Sequence, residues 1–134
     1  MAFLVGHWQM LGHGMFVVEE RIGGSFVGRV GPLQPVGWPG FEIAWALLPG
    51  ARGKGYATEA ARAAIDWSFD TFPIDRIISV IHPRNEASRR VAERLGEQRT
   101  EQQFSPFGEP CDIWQIRRKD RPDQACFRSG CQLA

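Results

Sequence analysis

Residues 47–62, LLPGARGKGYATEAAR, combine residue types that can bind an anionic group. Gly53 and Gly55 lack a Cβ atom, so the backbone around them can adopt positive φ angles and direct several N–H groups toward one point. An apolar run precedes these glycines and an alanine-rich run follows them, which is typical of a loop that leads from a strand into a helix. The first N–H groups of such a helix are unpaired and carry a partial positive charge. The segment therefore predicts a site for a phosphate or a diphosphate.

Three phosphate-binding patterns compete for this loop. A P-loop requires Ser or Thr after its Gly-Lys pair, whereas Lys54 is followed by Gly55. A dinucleotide-binding fingerprint requires a third glycine where Thr58 stands and an acidic residue after the next strand, and SVIHPRN contains no acidic residue. The third pattern, Arg/Gln-x-x-Gly-x-Gly/Ala, is matched by residues 52–57, RGKGYA.

Glu42 is a second residue that could take part in chemistry. It is the lone carboxylate in FEIAWALL, residues 41–48, where alternating apolar residues predict a strand that is buried on both faces. Burial raises the pKa of a carboxyl group and makes it a better proton acceptor. The alternative is that Glu42 lies at the solvent-exposed end of the strand and only pairs with an arginine.

The remaining elements follow from periodicity, caps and turn residues. Asn85 is a natural N-cap and Gly96 a natural end for the helix NEASRRVAERLG, and Pro73 ends the helix before it. The predicted elements in chain order are a hairpin of strands 15–20 and 25–30, strand 41–48, a helix from 57 or 58 to 72, strand 76–81, helix 86–95, and strands 99–104 and 112–117.

This β-β-β-α-β-α-β-β order predicts an α/β (α+β) fold. The central strand–helix–strand unit implies a parallel pair with a right-handed crossover, and the other strands are antiparallel. We therefore expect a mixed, mostly antiparallel sheet with flanking helices. Residues 1–118 are expected to form a single domain, and residues 119–134, which show no periodicity, a loose C-terminal tail.

Composition narrows the classes of function. The net charge of +1 on 134 residues provides no general attraction to nucleic acid or to membranes. Cys111, Cys126 and Cys131 have neither the number for a disulfide framework nor the spacing of a zinc site, so we expect reduced thiols and no metal. The N-terminal stretch lacks a basic start and is interrupted by glycine and histidine, so it is typical of neither a signal peptide nor a membrane span. These features predict a cytoplasmic protein.

Residues 52–57 resemble the acetyl-CoA signature of the GNAT superfamily of acetyltransferases. The resemblance extends over residues 15–117: EIAWALLPGARGKGYATEAARAAIDWSF followed by IHPRNEASRRVAERLG looks like the branch related to ribosomal-protein N-terminal alanine acetyltransferases. It implies a GNAT-like sheet whose central parallel strands splay apart, acetyl-CoA as cofactor, and direct acetyl transfer to a primary amine of a small molecule or a protein N-terminus.

The resemblance also implies roles for individual residues. The exposed backbone around Leu47 would pair with the pantetheine arm, and Asn85 and Ser88 would lie near the arm and the thiol. Glu42 would accept the amine proton, through water. The pyrophosphate would be held by the loop and the helix start, which comprise Arg52, Gly53, Lys54, Gly55, Tyr56, Ala57 and Thr58.

Ser88 is the residue that we expect to serve as the acid. Many family members use a tyrosine on the second helix, but Tyr56 is the only tyrosine of this chain and Ala92 stands at the expected place. The alternative is that Ser88 is a small inward residue that permits close packing. His82 is expected to be a structural histidine, and the five tryptophans are expected to have packing roles only.

The chain departs from the family pattern at its start. Only MAFLVGHWQMLGH precedes the first hairpin, so we expect an N-terminally truncated domain with an exposed sheet edge, which a second copy could cover as a homodimer. Glu97 stands where an apolar residue usually follows the Leu-Gly ending. These departures leave an alternative function, a catalytically silent CoA-binding remnant or interaction module.

Overall fold

The secondary structure of residues 2–121, the residues that the computed structural model describes, follows the predicted order and adds a helix at the start. Short 3-10 turns at Pro49–Ala51 and Arg118–Asp120 complete it. The helices and strands in chain order are α1 (Ala2–Leu11), β1 (Phe16–Glu19), β2 (Phe26–Leu33), β3 (Glu42–Leu47), α2 (Tyr56–Thr71), β4 (Arg76–Ile81), α3 (Glu86–Leu95), β5 (Gln98–Phe104) and β6 (Cys111–Arg117).

The six strands form one mixed sheet in the order β1-β2-β3-β4-β6-β5. Every neighbouring pair is antiparallel except β3 and β4, which are parallel. The parallel strands share a single residue pair, Glu42 with Ile78, and the Ile78 N–H donates to the Phe41 carbonyl at 2.9 Å. The predicted mixed, mostly antiparallel sheet with one central parallel pair is therefore confirmed.

Helix α2 packs an apolar stripe against the sheet. Its small residues allow the helix to approach the strands closely, while Phe69, which is 1% exposed, fills the space near its C-terminal end. The alanines cost little entropy on burial and favour the helix itself. The main core cluster draws on α2, on four strands and on the end of the helix at Glu86–Leu95, and it contains Val30, Phe41, Ile43, Ala61, Ala64, Ile65, Phe69, Ile77, Leu95 and Ile116.

Helix α3 begins and ends at the predicted residues. The Asn85 Oδ1 accepts the Ser88 N–H at 3.1 Å, and Gly96 adopts a left-handed conformation with φ of 84°. The buried residues of the helix, Ala92 and Leu95, lie on the same face as Ser88. These caps fix the ends of α3 and therefore the position of Ser88 on its first turn.

The imidazole of His7 attaches α1 to the rest of the molecule. Its Nε2 accepts the N–H of Gln34 at 2.8 Å, so its Nδ1 carries the proton and donates to the His13 carbonyl at 2.7 Å. The neighbouring Trp8 donates its indole N–H to the Met15 carbonyl at 3.1 Å. Helix α1 is thus held by side-chain hydrogen bonds to backbone groups that strand pairing does not use.

The C-terminal part of the described chain is attached to α2. The Arg118 guanidinium donates to the carbonyls of Phe69 and Phe72 at 2.7 and 2.8 Å, which completes the end of the helix. Arg121 pairs with Asp66 and Asp70, both at 2.8 Å. The packed region therefore continues to Arg121, beyond the predicted boundary at 118.

The rest of the predicted tail, residues 122–134, lies outside the described residues, as do Cys126 and Cys131. Cys111 has no disulfide partner among the described residues. None of the helices found between residues 2 and 121 combines the length and the hydrophobicity that a membrane crossing requires.

Candidate active site

The gap between β3 and β4 begins immediately after the one residue pair that joins them. A continued parallel ladder would next pair the Val80 N–H with the Ile43 carbonyl. Instead, the Val80 N–H donates to the Glu42 Oε1 at 3.0 Å, and the Ile43 carbonyl accepts from the Ser79 hydroxyl at 3.0 Å. Two side chains thus satisfy the backbone groups at which the strands separate, and the sheet opens beyond them.

The open edge of β3 carries backbone groups that face the gap. Leu48 donates to the Val27 carbonyl at 2.9 Å, so alternate residues from Glu42 to Leu48 bond to β2. The residues between them direct their N–H and C=O groups to the opposite side, toward β4. Because β4 pairs with β3 only at Glu42, no strand among residues 2–121 pairs with this side of Trp45 and Leu47, which is therefore open to an incoming extended group.

Glu42 is buried, with 5% of its surface exposed, at the closed end of this gap. Its Oε2 accepts the indole N–H of Trp38 at 2.5 Å, and its Oε1 accepts the Val80 N–H. Desolvation raises the pKa of Glu42 to about 6, although these two hydrogen bonds act in the opposite direction. The buried carboxylate is therefore the correct interpretation, and the solvent-exposed pairing with arginine is wrong.

Ser88 lies across the gap from β3 and is hydrogen-bonded to it. Its hydroxyl oxygen accepts the indole N–H of Trp45 at 3.1 Å, so its own proton remains available for another acceptor. A cleft of about 150 Å³ brings the predicted residues Glu42, Asn85 and Ser88 together. Leu47 and residues 53–58, which lie farther along the strand and the following loop, do not line this cleft.

The loop between β3 and α2 has the predicted glycine conformations. Gly53 and Gly55 have φ angles of 76° and 84°, in the left-handed region. The first bond of α2 runs from Glu59 to the Gly55 carbonyl, so the N–H groups of residues 56–58 precede the intrahelical ladder. Within the described part of the chain, the N–H groups of residues 53–55 have no backbone acceptor. We call the N–H groups of residues 53–58 the amide cradle.

The Arg52 amide does not belong to this cradle. It donates to the Pro49 carbonyl at 3.3 Å, because the 3-10 turn at Pro49–Ala51 ends at Arg52. The prediction that the pyrophosphate-binding amides begin at Arg52 is therefore wrong for its main-chain donor, and the available set begins at Gly53. The Arg52 side chain is exposed, as is that of Lys54, so both can still attract an anion.

Tyr56 has a contact that sequence reasoning missed. Its hydroxyl donates to the Glu20 Oε1 at 2.7 Å, which links the start of α2 to the turn between β1 and β2. This hydrogen bond, together with the nearby acidic charges, raises the pKa of Tyr56. Trp38 and Trp45 were likewise expected to have packing roles only, whereas each donates its indole N–H to a predicted catalytic side chain.

His82 lines the cleft, but both of its ring nitrogens have partners. Its Nδ1 accepts the Arg84 N–H at 3.2 Å, so its Nε2 donates to the Glu109 carboxylate at 3.0 Å. This arrangement favours the structural role expected for His82. In residues 2–121 no three His, Cys, Asp or Glu side chains are grouped so as to hold a metal ion.

Comparison with known proteins agrees with this geometry. The family model described as an acetyltransferase (GNAT) domain matches residues 2–98. YkkB of Bacillus subtilis (strain 168) is 36% identical over 87 residues, which are 63% of this chain and 51% of YkkB. The chain thus spans about half the length of this curated relative.

Two solved acetyltransferases share the fold. The enzyme from Agrobacterium tumefaciens str. C58 superposes with a TM-score of 0.76 at 30% identity, over 84% of this chain and 66% of that one. The ribosomal-protein-S5-alanine acetyltransferase from Vibrio fischeri superposes with a TM-score of 0.71 at 22% identity, over 90% of this chain and 70% of that one. The match of the family model over most of the sequence, on a sheet with the splayed central pair, shows that the chain belongs to the GNAT acetyltransferase family.

Proposed function

We propose that this chain is an acetyl-CoA-dependent N-acetyltransferase that moves an acetyl group directly to the primary amine of a small molecule or a protein N-terminus. One observation carries the proposal. The open edge of β3 runs from the amide cradle to the cleft that both Glu42 and Ser88 line. A ligand with a diphosphate at one end and a reactive group at the other end of an amide-containing arm fits this path.

The amide cradle suits a diphosphate. A Cβ atom built on Gly53 or Gly55 would meet no atom of the described residues within 4 Å beyond the glycine and its two chain neighbours, so the space beside both glycines is open. Donors around that space are the free N–H groups at the start of α2, which carry roughly half a positive charge. Each hydrogen bond to a phosphate oxygen contributes about 1.5–3 kcal/mol. Coenzyme A carries a diphosphate at the end of its pantetheine arm opposite the thiol, and the amide cradle would bind that group.

The open strand edge suits the pantetheine arm. Trp45 and Leu47 each offer one N–H and one C=O toward the gap, and the two amides of pantetheine are complementary to such groups. The arm would therefore occupy the place of a strand between β3 and β4. This placement directs its thiol end toward Ser88 and Glu42.

The side chains of the cleft match the needs of acetyl transfer. When bound, acetyl-CoA supplies the thioester whose C–S bond breaks as the amine nitrogen bonds to the acetyl carbon. Glu42 accepts the proton that the amine loses, through a water molecule, and its pKa of about 6 leaves it ionised at neutral pH. The N–H groups of the β3 edge polarise the acetyl carbonyl. Ser88, whose oxygen is occupied by Trp45, donates its hydroxyl hydrogen bond to the sulfur as negative charge develops there.

The experiment that tests this function measures binding and turnover separately. The chain is incubated with acetyl-CoA and a panel of amines and peptide N-termini, and free thiol is measured, while thermal shift is recorded with CoA. An increase in Tm together with amine-dependent thiol release supports the enzyme. An increase in Tm without turnover supports a CoA-binding module instead. If neither appears, both functions are wrong.

A further inference from the structure

Glu97 is a buried carboxyl group outside the cleft lining. It follows the cap residue Gly96, its N–H donates to the Ala92 carbonyl at 3.0 Å, and only 4% of its surface is exposed. Its Oε1 lies 3.0 Å from the Ser79 hydroxyl, and its Oε2 has no hydrogen-bond partner among the described residues. Burial of an ionised carboxylate with so few partners is costly, whereas a neutral acid is much less so.

The hydrogen atoms around Ser79 can be counted. Its Oγ lies 3.0 Å from the Ile43 carbonyl oxygen and 3.0 Å from the Glu97 Oε1. A hydroxyl has one proton to donate, and a carbonyl accepts only. An ionised Glu97 would also accept only, so one of the two contacts would lack a hydrogen atom. Both contacts are hydrogen bonds if Glu97 is protonated and donates to Ser79, which then donates to Ile43.

The Ile43 carbonyl is the acceptor that would bond to a β4 N–H if the two strands stayed paired. The Val80 N–H that would have paired with it bonds to Glu42. Ser79 on β4 therefore supplies the replacement donor. Its acceptor, Ile43, is the residue next to Glu42 on β3. Both Ile43 and Ser79 line the cleft that contains Glu42 and Ser88.

We propose that Glu97 is a positioning residue: in its protonated form it completes a Glu97–Ser79–Ile43 hydrogen-bond chain that fixes β3 where the strands separate and thereby orients Glu42. Its effect on catalysis rests on the function proposed above, but the hydrogen-bond chain does not. Loss of the Glu97 proton breaks one of the two links and adds a negative charge near Glu42.

The charges around Glu97 agree with a protonated state at neutral pH. Burial, followed by the charge of Glu42 on β3, raises the pKa of Glu97 to about 8, and the Ser79 hydrogen bond acts in the opposite direction. Two arginines on the neighbouring elements donate to groups other than Glu97. Arg89 of α3 donates to the Pro83 carbonyl, and Arg99 of β5 forms a bidentate pair with Asp112 of β6.

The test compares the parent chain with Glu97→Gln, whose amide can still donate to Ser79, and with Glu93→Gln, an exposed carboxyl on α3 as matched control. The first readout is the NMR shift of the Ile43 carbonyl carbon between pH 6 and 10. We expect a titration step near pH 8 in the parent and in Glu93→Gln, and its absence in Glu97→Gln. A flat parent profile, or an unchanged profile in Glu97→Gln, overturns the proposal.

The second readout is the folding constant as a function of pH. Between pH 4.5 and 8 the unfolded chain has an ionised Glu97 and the folded chain a neutral one. The folding constant of Glu97→Gln relative to the parent should therefore rise about tenfold per pH unit in this window. A constant ratio overturns the proposal. If Glu97→Gln does not fold, Glu97→Leu, which restores the apolar residue usual in the family, replaces it in both measurements.

The third readout is kcat/KM. We expect the parent to lose activity above about pH 8 and Glu97→Gln to retain it. If kcat/KM falls equally in the parent and in Glu97→Gln at high pH, the proposed effect of Glu97 on Glu42 is wrong. Absence of turnover in every chain refutes the proposed function, and the NMR and folding measurements still decide the state of Glu97.

Discussion

The indole N–H of Trp45 on β3 donates to the hydroxyl oxygen of Ser88 on α3 at 3.1 Å, across the gap between β3 and β4. The bond joins residues that are 43 positions apart in the sequence. In this bond the serine oxygen is the acceptor, so the serine hydrogen remains available for another acceptor. Trp45 is therefore an orienting partner of Ser88 as well as a packing residue.

Replacement of Ser88 by alanine should lower kcat and leave the affinity for CoA nearly unchanged. The hydroxyl would act on charge that develops at the sulfur, so its loss should reduce kcat by roughly a hundredfold. Trp45→Phe keeps the aromatic packing but removes the orienting donor, and a smaller decrease in kcat is expected. Steady-state kinetics and calorimetric CoA binding provide the measurements. Ser105→Ala, an exposed serine, is the control, and equal kcat values for Ser88→Ala and this control would refute the role.

Replacement of Glu42 by glutamine should remove the acidic limb of the pH profile. The base must be ionised to accept a proton, so kcat/KM of the parent should rise with pH through about 6 and level off before the decline expected above about pH 8. In Glu42→Gln this limb should disappear and kcat/KM at neutral pH should fall about a hundredfold or more. Glu101→Gln, an exposed carboxyl on β5, should behave like the parent. An acidic limb that persists in Glu42→Gln would show that another group is the base.

Gly55→Val should abolish CoA binding. The valine side chain would enter the open space that the amide cradle surrounds, and the left-handed backbone at Gly55 disfavours a β-branched residue. Gly108→Val is a matched control, because Gly108 has a φ of 86° and equally open surroundings but lies in the turn between β5 and β6. Calorimetry should detect binding by the control alone. Binding by a folded Gly55→Val, as judged by circular dichroism, would mean that the diphosphate lies elsewhere.

Lys54→Ala should weaken CoA binding only modestly. The side chain is exposed, so its attraction to a phosphate is screened and contributes about 1 kcal/mol or less. The difference between parent and variant should decrease as salt is added. Lys119→Ala changes the only other lysine and should have no effect. A loss far above tenfold for Lys54→Ala would mean that this lysine, rather than the backbone, provides most of the binding.

His13 should make the protein less stable in mild acid. Burial, and then the neighbouring His7, lower the pKa of His13 in the folded chain, whereas in the unfolded chain it stays near about 6.5. The unfolded state therefore binds more protons as pH falls below this value, and stability decreases by at most about 1.4 kcal/mol per pH unit. Urea unfolding between pH 5 and 7.5 should show a shallower dependence for His13→Phe. Identical slopes would contradict this prediction.

The parts of the fold that local chemistry determines could be predicted from the sequence. Gly53 and Gly55 indicated left-handed backbone, Asn85 and Gly96 indicated the ends of α3, and alternation in FEIAWALL indicated strand β3. The burial predicted for both faces of that strand is found only at its start, since Glu42 and Ile43 are buried whereas Ala46 is exposed. Each of these rules depends on residues within a few positions of one another, so no tertiary information was needed.

The parts of the site that depend on distant residues could not be predicted. Nothing in the sequence connects Trp45 with Ser88, or Ser79 with Glu97, until β3 and α3 come together around β4. The Arg52 amide was missed for a local reason, because the 3-10 turn that begins at Pro49 uses that donor. Glu97 was noticed as a departure from the family pattern, but the hydrogen-bond chain that includes it required the structure.

The single backbone pair between β3 and β4 has a further consequence. Strands β1–β3 and strands β4–β6 form two half-sheets, and the seam between them is closed by one ladder pair and by the contacts of Glu42 and Ser79. A ligand that forms hydrogen bonds with the free edges of both β3 and β4 would connect the two half-sheets. Occupancy of the cleft would then increase the cooperativity with which the two halves unfold together.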